Sequence, residues 1–242
     1  MDLFRFKQFV VNQEGVAMRV NTDGVLLGAW VNLAPHTATP KILDIGTGSG
    51  VIALMLAQRL ASSNKVNSFR IDAIEPHLLS AQAAVTNFNN APWGSCMRLF
   101  NSTLQDYTQG SQYDLIVSNP PYYHDSLRPP DDNRRFVRHA DSLNQDDLLK
   151  GVAALLTPCG SFGVVLPFLQ QKDFLIKAST VGLHLYRETI VYTASGRLPK
   201  RALMEFVQKE EPLQSDSIAI HDADGSYTED YKQLTKDFYL AF

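Results

Sequence analysis

The tetrapeptide Asn119-Pro120-Pro121-Tyr122 closes the apolar run Asp114-Leu115-Ile116-Val117-Ser118. Leu115, Ile116 and Val117 have the composition of a buried strand. Two consecutive prolines end it, because neither carries an N–H for a ladder bond. The backbone is thereby held extended where it leaves a sheet. At that point the Asn119 side-chain oxygen and the Pro120 carbonyl can accept hydrogen bonds from an NH2 group. Tyr122 offers a flat face for a ring. Asn119, Pro120, Pro121 and Tyr122 together make a site for a planar amine.

A second segment, residues 41–60, reads KILDIGTGSGVIALMLAQRL. Its pattern is a short apolar strand, then Gly46, Gly48 and Gly50, then helical apolar periodicity at Ile52, Leu54, Met55 and Leu56. Glycines allow a sharp turn and close approach of a ligand to the backbone, and the helix start presents unpaired N–H groups. The spacing G-x-G-x-G departs from the dinucleotide fingerprint G-x-G-x-x-G. Asp44, just before the glycines, can receive an ammonium or anchor the loop. One strand later, FRIDAIEPHLL places Glu75 at a strand end, where a carboxylate can accept hydrogen bonds from ribose hydroxyls.

These residues need a scaffold that brings strand ends together. Residues 3–20 read as a short hairpin and 23–33 as a helix, leading through Pro35 and Pro40 into the core. Strands are predicted near 42–45, 70–75, 97–100 and 113–118, with helical segments between them. A helix over 143–156, a strand over 160–166 and a helix over 173–181 follow, and strands over 184–193 and 202–209 close the chain. Such alternation predicts an α/β, doubly wound, mostly parallel sheet, whose ligands bind outside the carboxyl ends of the strands. Residues 122–141 are polar, contain proline and are long for a connector, and read as a substrate-side lid.

DIGTGSG, then an acidic strand end, then NPPY: this order resembles the class I S-adenosylmethionine-dependent methyltransferases that act on an exocyclic or amide nitrogen. FRFKQF, MRVNTDGVLLGAW, GRLPKRALMEF and YTEDYKQLTKDFYLAF extend the likeness across the chain. The whole resembles the bacterial tRNA1(Val) (adenine-37-N6)-methyltransferase family. That resemblance implies a Rossmann-like class I methyltransferase fold, with a mostly parallel seven-stranded sheet and an antiparallel closing strand. Residues 41–242 would be the core domain and 1–40 a hairpin-and-helix extension. It implies S-adenosyl-L-methionine as cofactor, bound by Asp44, Gly46, Thr47, Gly48, Gly50, Glu75, Ser102, Thr103 and Asn119. Such enzymes place an Asp after the third strand on the cofactor adenine. Here the register falls on Asn101-Ser102-Thr103, which leaves a hydroxyl, the Asn101 amide or Asp106 for that contact. The implied reaction is methyl transfer to N6 of adenine in tRNA, with the amine gripped by Asn119 and the Pro120 carbonyl. The target base would leave its stack to reach Tyr122.

Three rivals stand beside this reading. A protein-glutamine N5-methyltransferase can use the same NPPY on a side-chain amide, but is expected to carry a larger helical domain ahead of the glycine motif. A dehydrogenase needs the longer glycine fingerprint and a catalytic acid or base. A non-catalytic RNA-binding module would not need Asn119 or Glu75.

The 242 residues, 45% of them hydrophobic, suit one main domain. Cys96 and Cys159 are too few for a disulfide framework, and the six histidines have no metal-ligand spacing. No metal is expected. No stretch reads as a membrane span or secretory leader, so the expected location is the cytoplasm, and the expected state a monomer. The net charge of −3 is unusual for an RNA-binding chain, so phosphate contacts must come from local patches. Three groups offer them: Arg134, Arg135 and Arg138; Arg197, Lys200 and Arg201; and Arg5, Lys7 and Arg19.

Overall fold

The glycine motif and the Asn-Pro-Pro motif leave neighbouring strands of one sheet. The computed structural model describes residues 2–33, 37–108, 112–121 and 143–242; Tyr122, Arg134, Arg135, Arg138 and the lid expected over 122–141 lie outside the described residues. At the start, β1 (Leu3–Arg5) and β2 (Val10–Asn12) form an antiparallel hairpin, followed by α1 (Thr22–Trp30). The core runs β3 (Lys41–Ile45), α2 (Val51–Ala61), β4 (Arg70–Ile74), α3 (Leu78–Asn90), β5 (Met97–Phe100) and β6 (Tyr113–Ser118). After it come α4 (Gln145–Leu155), β7 (Leu156–Pro167), α5 (Gln171–Thr180), β8 (His184–Ala194) and β9 (Pro199–Val207). The last elements are β10 (Gln214–His221) and α6 (Glu229–Thr235).

The main sheet has eight strands in the order β10-β8-β9-β7-β6-β3-β4-β5. Strand β9 is antiparallel to both its neighbours and every other pair is parallel. The seven expected strands are all there, and β10 adds an eighth at the edge, parallel to β8. From β3 the chain steps outward through β4 to β5, then returns on the other side of β3 as β6. A crevice opens at such a switch point, outside the carboxyl ends of β3 and β6.

Period-2 alternation supplies a core on each face of the sheet. Ile42, Leu115 and Val165 join α1, α2 and α3 on one face, while Leu43, Ile116 and Val164 join α4 and α5 on the other. Helix α1 is apolar on all sides, and every residue from Gly24 to Trp30 is buried, as a helix enclosed by others requires. It can lie close to α2 because Gly28 has no Cβ, which would sit 2.9 Å from Met55 Sδ. The helix expected over 23–33 stops earlier, since Val31 turns extended. Strand β7 starts earlier than expected: Leu156 pairs with Tyr113 before a register shift, ahead of Pro158 and Gly160. No described helix is long and apolar enough to cross a membrane.

Candidate active site

The loop after β3 turns on Gly46, Gly48 and Gly50, with φ of 71°, 58° and 87°. These are left-handed values that a side chain would strain. A Cβ on Gly46 or Gly48 would meet nothing within 4 Å, so both present bare backbone to open space. Gly50 is different. Its Cβ would sit 2.5 Å from the Phe88 ring, so it lacks a side chain for packing against α3. The Gly46 and Thr47 amides both donate to the Ile74 carbonyl, at 2.9 and 3.0 Å, tying the loop to the end of β4.

Asp44 lies beneath this loop, wholly buried. Its Oδ2 accepts the Thr47 hydroxyl at 2.6 Å and the Ala53 N–H at 3.2 Å. Burial pushes the carboxyl up to about 7, against the pull of those two bonds. Asp44 thus takes the anchoring position of the two open from sequence.

Glu75 follows β4 and closes the loop from the side. One carboxylate oxygen accepts the Gly48 N–H at 2.8 Å and the other accepts the His77 N–H at 2.9 Å. Each oxygen retains a second acceptor direction. After β5, the Asn101 amide donates to the Glu75 and Pro76 carbonyls at 2.8 and 3.1 Å, so both its hydrogens are used. Ser102 donates to the Thr103 carbonyl. Of the three residues 101–103, Thr103 is the one that lines the cavity, with its hydroxyl on Asp106 Oδ2 at 2.7 Å.

The Ser118 hydroxyl donates to the Ile45 carbonyl at 2.9 Å, locking the end of β6 to the end of β3. Asn119, Pro120 and Pro121 then turn into the same cavity, which has a volume of about 220 Å³. Its wall follows the strand order: Thr103 and Glu75, then Gly46, Thr47 and Gly48, then Asn119. Asp44, Gly50 and Ser102 are not on that wall.

Sequence reasoning missed one side. Ala17, Met18, Asn21 and Gly24 also line the cavity. Asn21 caps α1 by accepting the Gly24 N–H at 2.9 Å. Asn119 Nδ2 lies 3.7 Å from where a Gly24 Cβ would be, so the helix start faces the Asn-Pro-Pro motif. The signal was there in NTDG, an N-cap residue ahead of an apolar helix.

The basic groups separate by geometry. Arg197 and Lys200 are exposed around the β8–β9 turn, on the edge of the sheet that carries the cavity. Arg201 is largely enclosed, its Nε 2.7 Å from Asp23 Oδ2. Lys7 donates to the carbonyls of Lys236, at 2.6 Å, and Phe242. Arg5 is exposed, and Arg19 lines the cavity mouth with Asp2 at 2.7 Å. Arg201 and Lys7 therefore hold the fold together as well as carrying charge.

Residues 22–165 match the Methyltransferase small domain family. A tRNA1(Val) (adenine(37)-N6)-methyltransferase of Bacteroides fragilis (strain YCH46) is 42% identical over 240 residues, 98% of this chain and 97% of the relative. The chain belongs to the tRNA1(Val) (adenine(37)-N6)-methyltransferase family. A member of that family from Trichodesmium erythraeum is also 42% identical, covering 99% of this chain and 98% of the relative. Among solved structures, a protein described as a predicted O-methyltransferase from Agrobacterium tumefaciens superposes with a TM-score of 0.68. It is 15% identical and covers 89% of this chain and 96% of its own, which bears on the fold alone.

The cofactor of this family member is S-adenosylmethionine. The residues present fit it. Gly46 and Gly48 leave their backbone open to a ligand where any Cβ would project, and Glu75 presents acceptors beside them, as a nucleoside with ribose hydroxyls requires.

Proposed function

We propose that this methyltransferase acts on the exocyclic N6 of adenine in tRNA, at adenine 37 of tRNA1(Val). The observation that carries the reading is the placement of Asn119 and Pro120 at the switch point, in one cavity with the glycine loop and Glu75. The relatives' printed activity supports the choice of substrate.

Bound S-adenosylmethionine supplies an electrophilic methyl group. Glu75, Gly46, Thr47, Gly48 and Thr103 would hold it, with Asp44 and Gly50 shaping the loop from behind. An amino group on adenine is a poor nucleophile, because its lone pair is delocalised into the ring. The Asn119 side-chain oxygen and the Pro120 carbonyl accept its two hydrogens and draw the nitrogen toward tetrahedral geometry. Its lone pair then lies along the line of attack. No positioned base is needed, since an alkylated aromatic amine sheds its extra proton readily. Tyr122 would supply the flat face on which the base stacks, and Pro121 would stiffen the chain ahead of it.

Arg197 and Lys200 would grip phosphates on the sheet edge that carries the cavity, and Arg134, Arg135 and Arg138 take the same role on the sequence alone. Arg201 would act there through Asp23 and α1. Residues 41–242 would carry the reaction and residues 1–40 wall its substrate side. The protein would work as a cytoplasmic monomer without a metal.

The test is transfer from labelled S-adenosylmethionine to total tRNA from a strain lacking this protein, followed by nucleoside analysis. Label in N6-methyladenosine at position 37 of tRNA1(Val) is expected. Label in any other nucleoside would overturn the assignment.

A further inference from the structure

Asn87 sits in the last turns of α3 and is 2% exposed. Its Oδ1 accepts the Asn12 N–H at 2.8 Å, and its Nδ2 donates to the Asn12 carbonyl at 3.0 Å. That pair of bonds stands in for a strand partner on β2. The second Nδ2 hydrogen goes to the Ser49 carbonyl at 2.8 Å, inside the glycine loop. The neighbouring Phe88 ring fills the space that Gly50 leaves open. One turn of α3 therefore seats the glycine loop and the N-terminal segment together.

Beyond Asn12 that segment is held at two more points. Gln13 Oε1 accepts the Val20 N–H at 2.6 Å, and Ser80 Oγ accepts the Ala17 N–H at 3.0 Å. Ala17, Met18, Arg19 and Asn21 then become a wall of the cavity. The loop on one side and the wall on the other share a single buried amide whose two N–H donors and carbonyl oxygen are all hydrogen-bonded.

We propose that Asn87 is a positioning residue that couples the cofactor-holding loop to the substrate-side wall, so that ordering either one orders the other. The substrate half of this rests on the function proposed above; the link from cofactor to wall does not. Leaving the buried Asn87 amide unpaired is costly, and neither the loop nor β2 can shift without breaking a bond to it. Both ends of the link are short in space and long in sequence, with Asn12 and Ser49 lying 75 and 38 residues from Asn87.

The experiment uses the full chain and S-adenosylhomocysteine, the demethylated cofactor, as probe. Asn87→Ala should weaken its binding at least about fivefold by calorimetry, the lower range for stranded buried groups. It should also raise KM for tRNA at saturating cofactor. Val152→Ala, a cavity in α4 on the opposite face, should lower Tm while both constants hold. If Asn87→Ala behaves like Val152→Ala, its role is only structural and the proposal falls. Weaker cofactor binding with unchanged KM would equally overturn the coupling. Should Asn87→Ala fail to fold, amide hydrogen exchange on the parent protein decides. S-adenosylhomocysteine should slow exchange at Asn12, which does not line the cavity, as well as across residues 46–50. Binding without added protection at Asn12 would defeat the coupling alone. No binding at all would defeat the cofactor reading of the site.

Discussion

Asp44→Asn separates the charge of the buried carboxyl from its shape. Asp44 is 0% exposed, and its Oδ1 has no hydrogen-bond partner among the described residues. Burial raises the carboxyl from 3.8 to about 7, with Glu75 adding a smaller push. Between about pH 4 and 7 the folded chain thus holds a proton that the unfolded chain has lost. Stability from this group is fully present below the unfolded value and disappears as pH rises through about 7. A rise of that size corresponds to on the order of 4 kcal/mol as an upper bound. The amide variant keeps one oxygen for Thr47 and Ala53 but points an NH2 where Oδ1 has no partner, at a pH-independent cost of about 1–3 kcal/mol. The variant should therefore be less stable than the parent near pH 5 and as stable or more so near pH 8. Urea denaturation of both chains without cofactor, from pH 5 to 8 and with equal m-values, measures the difference. A difference that does not vary with pH would refute a carboxyl held protonated by burial.

Glu75→Ala removes acceptors from the cavity and releases the Gly48 amide, so cofactor affinity should drop by roughly 1–3 kcal/mol; unchanged calorimetry would exclude Glu75 as a ligand. Asn119→Ala should slow single-turnover methyl transfer at least about tenfold with cofactor affinity nearly intact, because its bonds tighten toward the transition state. Gly50→Ala meets both a left-handed φ and the Phe88 ring, and should cost about 1–3 kcal/mol or more in chemical denaturation, whereas Gly24→Ala, with only ordinary contacts around its Cβ, should stay close to the parent. Lys200→Ala should reduce the slope of log tRNA affinity against log salt by a little under about one unit. Lys7→Ala should leave that slope alone and lower Tm, since Lys7 is spent on the carbonyls of Lys236 and Phe242.

The core of the fold was legible because its signals are local. β-branched runs ending in Gly46, Glu75 and Asn119 marked three strand ends, and β5 and β6 have the bounds expected of them. Strand β10 was missed for an equally local reason: QSDSIAIH has polar residues along most of its length, and only Ile218 is buried. A strand at the edge, covered on few sides, does not need the alternation that betrays an inner one. Helix α6 escaped with it. The early start of β7 was hidden by Pro158 and Gly160, which argue against a strand, yet a register shift absorbs them.

Charge was harder to read than hydrophobicity, because what a charged side chain does depends on a partner that the local sequence does not show. Lys7 and Arg201 looked equivalent to Lys200, but their partners lie 229 and 178 residues away, and those contacts enclose or occupy them. The same holds for Asn87, an unremarkable polar residue on a helix until folding brings Asn12 and Ser49 to it. Sorting by partner changes the argument about RNA. The net charge of −3 leaves little general attraction for a polyanion, so the grip must come from cations that the fold leaves to solvent on the cavity edge. Among the described residues Arg197 and Lys200 are exposed on that sheet edge, Arg19 lines the cavity in competition with Asp2, Arg201 is held by Asp23, and Lys7, though exposed, is bonded to the Lys236 and Phe242 carbonyls. On the function proposed above, the β8–β9 turn, on the sheet edge that carries the cavity, is therefore the better candidate for the substrate path than Lys7 of the N-terminal segment, which is bonded to the carbonyls of Lys236 and Phe242.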